Sequence, residues 1–108
     1  MKIHIDNING EVVKGDDRYV VKDNKTLNNL VVSSTDLNPY KSTNGHSHPG
    51  QEEVYYFIRG NGVIELDEEK IGVEPGDVIL VHDGVFHRVT AGYQGCYFVC
   101  VFDGKRKH

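Results

Sequence analysis

Nowhere in this 108-residue chain do the apolar residues keep a helical period over eleven or more positions. They come instead in short runs, each cut off by turn residues, and that pattern confines the chain to an all-β architecture. "KIHID" alternates and ends at the turn signal "NING"; "GEVV", "RYVVK" and "NLVVSST" follow as further short strands. Asn38 and Pro39 interrupt the pattern. Beyond them lie "EVYYFI", a turn at "RGNG", "VIEL", an acidic turn "DEE" and "KIGV". "EPGD" turns into the buried-looking run "VILV", "HDG" turns again into "VFHRVT", and "AGYQG" separates that run from "CYFVCVF". Ten short strands in so small a chain predict a β-sandwich or a barrel.

The length predicts one domain over residues 1–108 with a modest core, since such a chain buries only about two-thirds of its unfolded surface. A net charge of −4 offers no general attraction to nucleic acid or to an anionic membrane. The opening "MKIHIDNING" lacks the apolar core of a secretory signal, and no apolar run reaches membrane-spanning length. The expected compartment is the cytoplasm. Cys96 and Cys100 share one strand-like run, so their Cα atoms should stand about 13 Å apart, beyond the roughly 7 Å reach of a disulfide. They are expected as small core residues. The basic end of the chain, "DGKRKH", reads as a solvated tail.

The chemistry concentrates in "GHSHPGQEEVYYFIRGNG", residues 45–62. On a strand, His46 and His48 point to the same side and can converge on one point. Pro49 and Gly50 turn the chain, which brings a carboxylate back beside them. Glu53 is preferred to Glu52 because it alternates with Tyr55 and Phe57, residues suited to a buried face. His87 sits in a separate strand-like run. Three neutral imidazoles and one carboxylate suit a divalent transition metal, iron, manganese, zinc or nickel, and leave positions open to water or substrate.

These residues resemble the cupin superfamily. His46, Ser47, His48, four residues, Glu53, six residues and Gly60 fit its first motif, over about residues 40–60. Gly76, Gly84 and His87 fit the second, over about 76–91, and the short stretch between is that of compact single-domain cupins. Tyr40, His82 and Ala91 stand where the motifs carry glycine, proline and asparagine. The resemblance implies a double-stranded β-helix, or jelly-roll, barrel with His46, His48, Glu53 and His87 as the metal ligands. His82 is either an exposed residue ahead of the Asp83–Gly84 turn or an acid–base group at the barrel mouth.

Cupins host many reactions, so fold alone does not give the function. "EEVYYFIRGNG" with "PGDVILV…FHRV" is similar to small cupins related to mannose- and glucose-6-phosphate isomerases. That implies isomerisation of a sugar or sugar phosphate, with His82 and Tyr55, or else Tyr40 or Tyr93, moving the proton. Lys41, Arg59 and Arg88 are the cations on hand for a phosphate. Metal-dependent dioxygenation is the second reading, and a non-catalytic barrel enclosing a small ligand the third. The expected partner is a small molecule. A homodimer is also expected, with Val12, Val13, Val20 and Val21 at or near the contact, because uncovered strand edges invite a second chain.

Overall fold

The computed structural model describes residues 1–104. The expected basic tail lies, from residue 105 onward, outside the described residues. Seven strands form the fold: β1 (Glu11–Gly15), β2 (Tyr19–Asn24), β3 (Leu30–Leu37), β4 (Glu53–Leu66), β5 (Glu69–Val73), β6 (Val78–Val81) and β7 (His87–Asp103). No helix occurs among the described residues. All pairings are antiparallel in the order β1-β2-β3-β7-β4-β5, and β6 pairs with β4. This is the jelly roll that the sequence implies.

Ten expected runs become seven strands for three physical reasons. "RGNG" is not a turn: it lies inside β4, where the register with β7 slips between Phe57 and Arg59 and again between Gly60 and Gly62. These bulges bend a long strand so that its two halves serve opposite sides of the barrel. Gly60 makes the bend possible, because it adopts φ 76° and a Cβ there would meet the Gly95 carbonyl oxygen at 2.1 Å. "AGYQG" likewise stays within β7 and does not divide it. "KIHID" is not a strand either. His4 and Asn7 close a tight turn through their own backbone groups, and Ile3 and Ile8 pack over Tyr97, Val99 and Val32 on the outer face of the sheet.

Alternation within the strands decides which residues fill the barrel. In β4, Glu53, Tyr55 and Phe57 point inward while Val54 and Tyr56 stay exposed. Phe57, Leu37, Ile64 and Val89 are the most completely buried large side chains. "VILV" is less buried than its composition suggests: Val78 and Leu80 face out, and only Val81 is fully covered. Cys96 and Cys100 are buried thiols, as expected, and burial with nearby Asp36 pushes the Cys96 thiol up to about 11. Tyr40, at the position where the cupin motif carries glycine, keeps a left-handed φ of 63°. A side chain there carries backbone strain that glycine would avoid. Among the residues expected at a contact between chains, Val12, Val13 and Val20 are exposed, whereas Val21 packs against the core.

Candidate metal centre and cavity

His87 opens β7 and Glu53 opens β4, and the barrel brings both ends to one place. Their side chains are almost fully buried, and His87 Nε2 stands 3.0 Å from Glu53 Oε2. The other ring nitrogen of His87, Nδ1, lies 2.9 Å from the carbonyl oxygen of Val85. A carbonyl only accepts, so Nδ1 carries the proton and Nε2 is the atom aimed at the carboxylate. Two acceptor atoms that face each other at this distance need a cation between them or beside them. A second proton on His87 meets that need, and so does a metal ion. Burial alone would raise the Glu53 carboxyl, but hydrogen bonds from His87 and Tyr55 and the nearby His46 ring outweigh it and hold the group below its ordinary value.

His46 and His48 arrive on an irregular edge rather than on a regular strand. Residues 40–46 run antiparallel beside the start of β7. Ala91 N donates to the Lys41 carbonyl and Thr43 N to the Val89 carbonyl, while His46 and His87 exchange backbone bonds of 3.2 and 2.9 Å. The turn at Pro49–Gly50 is closed by Gln51 N on the His48 carbonyl and held by Asp83, which accepts from Gly50 N. This framework gathers the rings. Centroids of His46 and His48 lie 4.3 Å apart, those of His46 and His87 4.5 Å, and those of His48 and His87 6.1 Å.

These distances suit a shared ion. A ring bound through nitrogen at about 2.1 Å places its centroid about 3.2 Å from the metal, so two rings at roughly 90–110° stand about 4.6–5.3 Å apart. The observed pairs bracket that range. No group of three or more His, Cys, Asp or Glu side chains among the described residues stands ready-made for coordination. Donor types and proximity are in place, and rotation of the exposed His46 and half-buried His48 would complete the convergence. Glu53 is buried against His87, whereas Glu52 is exposed.

A cavity of about 240 Å3 opens beside this cluster, with His46, Glu53 and Tyr55 in its wall. Strand register builds the rest. Asp23, Ser33, Cys100 and Tyr55 are successive cross-strand partners on β2, β3, β7 and β4, and all four line the cavity. Thr35 and Phe98 belong to the adjoining row, and Tyr19 and Asn44 complete one side. Sequence reasoning missed Tyr19, Ser33, Thr35 and Asn44. Alternation in "RYVVK" and "NLVVSST" signals which of these strand residues face inward, but nothing in it signals a cavity.

The other expected site residues are not brought here. His82 is exposed on the loop after β6, and it, Tyr40 and Tyr93 do not line the cavity. Lys41, Arg59 and Arg88 also lie outside it. They pair with Asp17, Asp6 and Glu65 respectively, and Arg59 stacks on the Tyr97 ring. No cluster of these cations forms for a phosphate. Tyr55 does line the cavity, and its hydroxyl is committed to Glu53.

The family description of the cupin domain matches residues 34–102, a span that contains His46, His48, Glu53 and His87. The chain belongs to the cupin family. This cupin is 32% identical over 53 residues to the oxalate-binding protein of Thermotoga maritima, covering 49% of this chain and 44% of that one. It is 37% identical over 51 residues to acireductone dioxygenase 1 of Coprinopsis cinerea, covering 42% of this chain and 28% of that one. The matches thus span less than half the length of these curated relatives. Among solved structures, KdgF from Halomonas sp. superposes with a TM-score of 0.80 at 18% identity, over 94% of this cupin and 92% of that chain. Such a likeness speaks for the fold alone.

Proposed function

We propose that this cupin is a metal-dependent enzyme acting on a small metabolite that presents oxygens on adjacent carbons. One observation carries the reading: the buried Glu53 carboxylate faces His87 Nε2 at 3.0 Å, with the His46 and His48 rings alongside and a cavity opening next to them. Glu53, His87, His46 and His48 would hold the ion. A divalent metal held there would act as a Lewis acid toward substrate oxygen and so make the neighbouring C–H more acidic. The chain's own residues do the remainder. Val85 fixes the His87 tautomer, Tyr55 orients Glu53, and Phe98 and Phe102 keep that end of the cavity apolar. The cavity suits a ligand of a few carbons.

Proton transfer at the activated carbon, as in a ketose–aldose isomerisation, is the chemistry we place first. Lys41, Arg59 and Arg88 lie outside the cavity, whereas Lys14 lines it, so a sugar and a sugar phosphate both stay within this reading. The second reading is dioxygenation, favoured by the identity shared with acireductone dioxygenase 1. Two measurements on metal-replete protein test both readings. Isomerase chemistry exchanges the substrate's carbon-bound hydrogen with solvent deuterium under anaerobic conditions, whereas dioxygenation consumes oxygen with no such exchange. Protein purified without chelator that holds no transition metal above trace would refute the metal-dependent reading outright.

A further inference from the structure

The β1–β2 turn and the loop that carries His46 are tied together by one side chain. Arg18 donates through Nη2 to Asp16 at 2.8 Å and through Nη1 to Asn44 Oδ1 at 2.7 Å. It also donates through Nη2 to the Tyr19 hydroxyl at 3.1 Å and lies over the Tyr19 ring at 4.6 Å. Tyr19 and Asn44 both line the metal-side cavity, and Tyr19 is only 3% exposed.

The direction of the Arg18–Tyr19 bond matters. A guanidinium has donors only, so the phenol oxygen must be the acceptor in that contact. The phenolic proton is thereby left for some other acceptor, and no described residue takes it. A hydrogen bond received from a cation also polarises the O–H and makes it a stronger donor. Tyr19 is thus a buried residue with an O–H still to give, and it lines a space roughly 8 Å across if taken as a sphere. Tyr19 and Glu53 line the same cavity, so one small molecule can meet both.

We propose that Tyr19 is a specificity-determining residue, which donates its hydroxyl proton to an oxygen of the ligand lying beyond the pair of oxygens at the metal end, and that Arg18 is its positioning residue. The ligand class is accordingly a hydroxy acid or hydroxy carbonyl bearing at least one further hydroxyl. This inference rests on the metal-centre reading proposed above.

Glycolate and glycerate are the probes, because both offer a carboxylate and a neighbouring hydroxyl while glycerate adds one more hydroxyl. Each is titrated calorimetrically into full-length protein loaded with Mn2+, with the metal content measured on the same sample and both glycerate enantiomers tried. In the wild type the better glycerate enantiomer should bind about tenfold more tightly than glycolate, the worth of one polarised hydrogen bond. Tyr19→Phe should abolish that advantage and leave glycolate affinity and manganese content unchanged, a result that a purely structural role would not produce. Should Tyr19→Phe fold poorly, Arg18→Gln serves instead and should reduce the advantage with Tyr19 still present. An advantage that survives both substitutions, or that is missing in manganese-loaded wild type, overturns the role of Tyr19 and leaves the metal reading standing. Wild-type protein that takes up none of manganese, iron, zinc or nickel fails the metal reading itself, and the Tyr19 inference falls with it.

Discussion

Replacing Glu53 with glutamine should separate the charge of the buried pair from its shape. Glu53→Gln keeps the side-chain volume and an acceptor oxygen but removes the negative charge facing His87 Nε2 at 3.0 Å. Both side chains are about 5% exposed or less, so solvent does not screen the loss. A hydrogen bond to a charged group contributes about 1.5–3 kcal/mol, and about 2 kcal/mol is the expected cost in metal-stripped protein. A chain of 108 residues melts with an entropy of about 0.23 kcal/mol/K, so the melting temperature should fall by about 9 °C. Glu52→Gln, at an exposed position, should stay within about 0.5 kcal/mol of wild type. Metal then gives a second reading of the same variants. At a hundredfold excess over Kd, a ligand of the folded state adds about 2.7 kcal/mol, which corresponds to about 12 °C here. Wild type and Glu52→Gln should show that gain with Zn2+, and Glu53→Gln should lose most of it. The assay is thermal unfolding followed by circular dichroism, first in chelator and then with metal. Equal melting temperatures for Glu53→Gln and Glu52→Gln under both conditions would refute the reasoning, because the buried pair would then do nothing that an exposed carboxylate does not.

The double variant His46→Ala/His48→Ala should fail to retain stoichiometric metal after dialysis, as read by elemental analysis; full occupancy would place the ion elsewhere. Asp16 should titrate at about 2 by carboxyl NMR, since its hydrogen bonds from Arg18 hold it below the ordinary 3.8, and Arg18→Gln should return it toward that value. Because the folded value is the lower one, the stability this contact adds is fully present above about pH 4 and drains away as pH falls through the folded value. A wild-type midpoint near 3.8 would contradict the Arg18 geometry. Assembly as a homodimer through the exposed Val12, Val13 and Val20 predicts a light-scattering mass of twice 12.1 kDa that is lost when residues 1–21 are deleted. A monomeric mass at micromolar concentration would remove that proposal.

The sequence by itself determined whatever depends on near neighbours. Short apolar runs between turn residues dictated an all-β chain, because strand alternation and turn chemistry are local properties. His46 and His48 declared themselves by their spacing, and Glu53 declared its inward face by alternating with Tyr55 and Phe57. Other features depended on how distant strands meet. "RGNG" carries the composition of a turn, yet it bends a continuous strand, since Gly60 packs its backbone on Gly95 from β7. "KIHID" alternates like a strand but covers the outer face of the sheet, because Ile3 and the nearby Ile8 pack over Tyr97, Val99 and Val32. The sequence proposes His87 as a ligand, but only the closing of β4 against β7 sets it 3.0 Å from Glu53. Tertiary structure alone, likewise, aligned Asp23, Ser33, Cys100 and Tyr55 in one row and turned Tyr19 into the same cavity. It also carried His82, Lys41, Arg59 and Arg88 away from that cavity. Cross-strand register couples residues dozens of positions apart, and that coupling exists only once the barrel has closed.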